Sequence, residues 1–258
     1  MRKIIHLLFL SFFAIGYISP AMAAGSRGDY NPPPATGTHY VKPRAPNGGD
    51  GSSEHPFNAL QHALCVLRPG DRLVMRVGDY GPVSVAGDCV DGTAERPITV
   101  VADQSAALTG KAPEVPVLDI QRAFWRFEQL EIMPDRRGPI AVRIQGKETH
   151  HIEIVDAHIH KGGGNGISIS DGAHDITIQG THIHHIGDPR GEKARFHAAA
   201  LLLTPDVRGV LLTGSDVHHI RGEHPFQLVG TEDEGIRAPS SEQMTIIESQ
   251  IPTGHQAW

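Results

Sequence analysis

The stretch Ile176-Thr-Ile-Gln-Gly-Thr-His-Ile183-His-His-Ile-Gly187 and the stretch Val210-Leu-Leu-Thr-Gly-Ser-Asp-Val217-His-His-Ile-Arg221 are two copies of one pattern. Apolar residues coincide at the first, third, eighth and eleventh positions, with His-His between the last two. The same frame fits Ile152-Glu-Ile-Val-Asp-Ala-His-Ile159-His-Lys161. It fits more loosely Trp125-Arg-Phe-Glu-Gln-Leu-Glu-Ile132 and Met244-Thr-Ile-Ile-Glu-Ser-Gln-Ile251. A second short apolar run follows each full copy, at Ile140–Ile144, Ile167–Ile169, Ala199–Leu203 and Phe226–Val229. A unit of period-2 strands without a helix cannot bury its own apolar face, so neighbouring units must stack. This predicts an all-β fold, a parallel β-helix solenoid of about six coils. Leucine-rich repeats share the length but need a Leu and Asn spacing that is absent. A sandwich is the competing reading.

Composition agrees with a narrow stacked interior: only 5% of the 258 residues are aromatic, and 29 glycines serve tight corners. A net charge of −6 argues against a nucleic-acid surface. Arg2 and Lys3 precede an apolar run from Ile4 to Ile18, and Pro20-Ala-Met-Ala23 follows, which reads as a secretory signal peptide over 1–23. A retained anchor is the alternative, although the run falls short of the roughly 20 apolar residues a span needs. Signal removal takes the charge from −6 to −8 and leaves no membrane span, with the mature protein in the periplasm or outside the cell. In such a compartment Cys65 and Cys89 read as one disulfide, two free buried thiols being the alternative.

Residues 24–54 hold much of the proline and glycine and read as an extended, exposed arm. From Pro56 the pattern changes. Phe57, Leu60, Leu64 and Leu67 form one stripe of an amphipathic capping helix, which opens the β-helix domain over 55–258.

Two further stretches carry a resemblance. Arg68-Pro-Gly-Asp-Arg-Leu-Val-Met-Arg-Val-Gly-Asp-Tyr-Gly81 and Gly92-Thr-Ala-Glu-Arg-Pro-Ile-Thr-Val100 resemble the opening of right-handed parallel β-helix polysaccharide lyases of the chondroitinase-B and alginate-lyase kind, within the pectin lyase-like superfamily. The resemblance implies an N-terminal cap, a right-handed coil, a polysaccharide partner, β-elimination by Lys and Arg, and calcium as the candidate cofactor. One departure is visible. Where the family often stacks asparagines, the corner after the first strand reads Leu130, Ala157, Thr181, Ser215 and Ser249.

Repeat arithmetic then builds outward columns: His158, His182 and Asp216; His160, His184 and His218; Lys161, His185 and His219; and Asn165, His197 and His224. The second-strand outward positions read Ala141, Ser168, Ala200, Gln227 and Arg143, Ser170, Leu202, Val229. Imidazoles and cations around one corner suit acid–base work or metal ligation. The candidate catalytic residues are Lys161, His185, Arg195, His197 and His219, with Arg143 and His224 as substrate contacts. A solvated polar ladder, a non-catalytic carbohydrate-binding protein and a C5 epimerase are the alternatives. Only Pro252–Trp258 follow the last copy. The chain therefore reads as a solenoid whose C-terminal end is blunted by Pro252 and Trp258, as one whose open end is covered in a homo-oligomer, or as a shortened relative of longer enzymes.

Overall fold

The structure is a computed structural model that describes residues 36–110, 115–134, 140–187, 198–221, 225–229, 236–237, 244–247 and 249. The chain divides into two units, Met1–Pro32 and Pro33–Trp258, and the first lies wholly outside the described residues. The expected signal peptide, and Arg195, His197 and His224, also fall outside them.

Strand β1 (Thr38–Val41) and helix α1 (Leu60–Val66) come first. The first coil is β2 (Arg72–Met75), β3 (Gly78–Tyr80) and β4 (Val83–Val85); the second is β5 (Ile98–Ala102), β6 (Ala106–Gly110) and β7 (Leu118–Ile120). Next are β8 (Trp125–Glu128), β9 (Glu131–Pro134) and β10 (Ile140–Gln145), then β11 (His150–Val155), β12 (His158–His160) and β13 (Asn165–Ser170). The fifth coil is β14 (His174–Gln179), β15 (His182–Ile186) and β16 (Leu201–Leu203), and the sixth is β17 (Arg208–Thr213), β18 (Asp216–Ile220) and β19 (Phe226–Val229). Strands β20 (Ile236–Arg237) and β21 (Met244–Ile247) follow.

Like strands of successive coils pair into three sheets. The first runs β1-β2-β5-β8-β11-β14-β17-β21, the second β3-β6-β9-β12-β15-β18 and the third β4-β7-β10-β13-β16-β19-β20. Every pairing is parallel except β19 with β20. The repeat frame is the register itself: Trp125 pairs with Ile152, Ile152 with Ile176, Ile176 with Val210 and Val210 with Met244. This is the six-coil parallel β-helix that the repeats predict.

The interior follows from strand alternation. Ile152, Ile154, Ile176, Ile178, Val210 and Leu212 point inward from the first sheet, Ile159, Ile183 and Val217 from the second, and Ile167, Ile169 and Leu203 from the third, all with at most 1% exposure. Trp125 and Phe127 fill the third coil, and the buried indole Nε1–H donates to Val90 O at 3.0 Å. At the corner after the first sheet the hydroxyl residues do what an asparagine ladder would do. The Thr181 amide donates to Ser215 Oγ and the Ser215 amide to Ser249 Oγ, each at 3.2 Å.

Helix α1 buries Leu60, Ala63 and Leu64. It lies against β4, the terminal strand of the third sheet, where Gln61 Nε2–H donates to Ser84 O and the Ser84 amide donates to Gln61 Oε1, both at 2.8 Å. A side-chain amide thus pairs with a strand edge that would otherwise be open. Cys65 and Cys89 are bonded, which ties α1 to the loop after β4.

Two expectations are corrected. The segment read as an extended, exposed arm is docked from Thr38 onward: β1 pairs with β2, Val41 is fully buried, and the Tyr40 amide donates to Gly51 O at 2.8 Å. A four-residue strand among prolines and glycines is too short to show periodicity. The third-sheet columns also slip by two residues. Arg143 pairs with Ser168, Ser168 with Leu202 and Leu202 with Gln227, because the length of the corner loop changes between coils. By the same register Asn165 meets Ala199, whose amide donates to Asn165 Oδ1 at 2.9 Å.

Candidate functional site

The second sheet carries the histidines. Because Ile159, Ile183 and Val217 point inward, the residues either side of each point outward. The register sets His158 against His182 and Asp216, and His160 against His184 and His218. The next residues, Lys161, His185 and His219, adopt φ of 64°, 53° and 53°. This left-handed conformation is uncommon outside glycine but is tolerated by histidine, and it turns each coil out of the sheet. Gly187 then needs its missing Cβ, which would stand 2.6 Å from Arg221 O at a φ of 92°.

The rings stack along the coil axis at about the spacing of paired strands. His184 lies over His218 at 4.9 Å with planes 3° apart, and His185 over His219 at 4.7 Å and 7°. Within each pair the Nδ1 atoms meet, at 2.7 Å for His184 and His185 and 2.5 Å for His218 and His219. His158 Nε2 faces His184 Nε2 at 2.6 Å. His160 is almost wholly buried, with Nε2 3.1 Å from Glu131 Oε1. Burial pushes the His184 imidazole down to about 4, and His158, His218, His160 and His185 add to the shift. Burial, with His160 beside it, also lowers His158. Lowered in this way, His158 and His184 are neutral at pH 7 and offer lone pairs rather than charge. Among the described residues, His158, His160 and His184 are the group whose ring nitrogens converge, all within 4.8 Å of one another. Such an all-nitrogen set suits a transition metal and not calcium, which takes oxygen ligands.

Of the residues expected at the site, the structure brings Lys161, His185 and His219 into one exposed column. Arg143 lies apart on the third sheet, its Nε donating to Asp119 Oδ1 at 2.8 Å. Asp119 also accepts from Gln121 and Ser84; burial alone would raise its carboxyl, but these bonds together hold it below the usual range. Glu131 was missed, although it occupies the seventh position of the repeat frame, the position of His158 one coil later. A second histidine stack was missed as well. His150 pairs with His174 at the start of the first sheet, the rings stacked at 5.1 Å, and Phe124 lies on His151 at 4.7 Å.

No protein-family model matches the sequence, and none of the curated proteins matches it. Solved structures do. Pectate lyase Pel9A superposes with a TM-score of 0.62 at 15% identity, over 86% of this chain and 56% of that one. The chain shares the parallel β-helix fold of a pectate lyase. It spans little more than half of that lyase's length. A Parabacteroides merdae protein described as a glycosyl hydrolase matches this β-helix with a TM-score of 0.51 at 11% identity, over 78% of this chain and 92% of its own. An alginate lyase from Paenibacillus gives a TM-score of 0.47 at 18% identity, over 73% of this chain and 68% of its own.

Proposed function

We propose that this β-helix binds a polysaccharide in the periplasm or outside the cell and cleaves an acidic one by β-elimination. The observation that carries the reading is the exposed column of Lys161, His185 and His219 at one corner of a fold shared with a pectate lyase. Elimination needs a base for the C5 proton, an acid for the leaving oxygen and a cation for the carboxylate. His185 and His219 supply the base and Lys161 the acid. Arg195 and His197 are further catalytic candidates and His224 a further substrate contact, and Arg143 is the carboxylate clamp of the neighbouring sheet. The Cys65–Cys89 bond and the N-terminal run after Arg2-Lys3 support export. Among the described residues no helix is long and apolar enough to cross a membrane.

The test is the ultraviolet absorbance of the unsaturated product on alginate, pectate and glycosaminoglycans, with and without calcium. A rise on one polymer that is lost in Lys161→Ala and His185→Ala supports the reading. A flat trace on every polymer overturns cleavage, and unchanged product sugars would then dismiss epimerisation, leaving carbohydrate binding to be measured directly. Sedimentation of the full chain tests association through the C-terminal end.

A further inference from the structure

Seven of the described histidines lie on the second sheet or at its edge, and three of them differ from the rest. His158, His160 and His184 each bring a ring nitrogen within 4.8 Å of the other two. His160 is 3% exposed, and its Nδ1 is buried without a hydrogen-bond partner among the described residues. A polar atom in that state needs an explanation, and an absent ion is one of the few available.

We propose that His158, His160 and His184 bind one divalent transition-metal ion of the zinc class, His160 through Nδ1 and His184 through Nε2. Glu131 sets one of the tautomers this requires, and the His–His contacts accommodate the others. Glu131 Oε1 accepts from His160 Nε2–H, which leaves Nδ1 bare, in the carboxylate–histidine arrangement that commonly orients a metal ligand. A hydrogen on His184 Nδ1, shared with His185 Nδ1, leaves His184 Nε2 bare. His158 Nε2 and His184 Nε2 lie 2.6 Å apart, so they share one hydrogen in the metal-free protein, and an ion between the rings takes its place. With Zn–N near 2.0–2.1 Å, tetrahedral nitrogens stand about 3.3 Å apart. His158 Nε2 and His184 Nε2 stand closer than that, at 2.6 Å, and all three rings offer a nitrogen within 4.8 Å of the other two, so ring rotations complete the site. His158 and His184 both reach solvent, which leaves the fourth position open to water. Neutral imidazole donors select zinc, copper or nickel over calcium and magnesium. Among the described residues, the other stack, His150 and His174, has no three ligand nitrogens that converge in this way.

The experiment is calorimetric titration of the tag-free full chain, stripped with chelator, with Zn2+ and with Ca2+ at neutral pH. No polysaccharide is present, so its failure is independent of any lyase activity. One equivalent of zinc should bind, and excess calcium should not displace it. His160→Ala and His184→Gln, checked for native circular dichroism, should abolish binding, while His174→Ala should keep it. Cobalt added in place of zinc should give the visible absorption of a tetrahedral nitrogen site, lost in the same variants. Absence of saturable zinc binding, or binding undiminished in folded His160→Ala, overturns the proposal.

Discussion

The molecule carries two histidine stacks built from the same dipeptide logic, and they end in different chemical states. At the start of the first sheet, His150 and His174 stack at 5.1 Å, and their Nδ1 atoms are taken up by His151 and Asp175. On the second sheet, His158, His160 and His184 stack as closely, yet Glu131 and His185 hold the outer nitrogens and the inner ones converge. Ring content and spacing are nearly alike. The difference lies in which partner the preceding coil supplies: Glu131 stands one coil before His158, whereas Phe124 caps the first stack with a hydrocarbon face. A histidine column can serve as a site where three ring nitrogens converge on one point, as at His158, His160 and His184, and is a packing element where they do not.

That contrast can be broken in several ways, beginning with the inward residue that aims the second stack. Ile183→Ala should cost about 2–5 kcal/mol by leaving a cavity in the fifth coil, read as a lower denaturation midpoint, and should abolish zinc binding. Survival of zinc binding would show that the stack is positioned from outside the coil. Zinc at about 100 times its Kd should stabilise the folded chain by about 2.7 kcal/mol, measured as a rise in Tm that is absent in His184→Gln and intact in His174→Ala. Glu131→Gln keeps the shape but weakens the acceptor, and should lower zinc affinity roughly 10–100-fold with little change in Tm. Arg143→Ala should cost about 1 kcal/mol and leave zinc binding untouched, since the Arg143–Asp119 pair belongs to neither stack. Because Asp119 is held below its ordinary range, the stability it contributes is present at neutral pH and is lost as pH falls through the acid range. Arg143→Ala should flatten that acid limb.

The smallest effect belongs to the first stack. His150 is lowered by burial, then by His151 and His174. A depressed histidine binds fewer protons folded than unfolded, so stability declines as pH drops below about 6.5. His150→Gln should reduce the loss of Tm between neutral and mildly acid pH. An unchanged slope would mean that the first stack is not under electrostatic strain.

Much of the coil was legible because stacking turns a sequence period into a register. The starts at 125, 152, 176, 210 and 244 pair residue for residue, and the small corner column at Thr181, Ser215 and Ser249 forms its hydroxyl ladder. The frame failed where corner loops change length. Asn165 meets Ala199, and the third-sheet columns slipped by two, because alternation identifies a face but not how far along the strand the next coil begins. Strand β1 escaped notice for a related reason, since four residues hold one alternation and no repeat.

The sequence alone determined the solenoid, the capping helix and the columns in which His158, His160, His182, His184, His218 and His219 stand, since each depends on a periodicity within an element or a fixed offset between coils. Only the tertiary structure decided that Glu131 reaches diagonally to His160, that His160 Nδ1 is left buried and unpaired, and that Arg143 is engaged by Asp119. Those depend on ring rotation and on side-chain reach between strands about 4.8 Å apart, which periodicity does not encode.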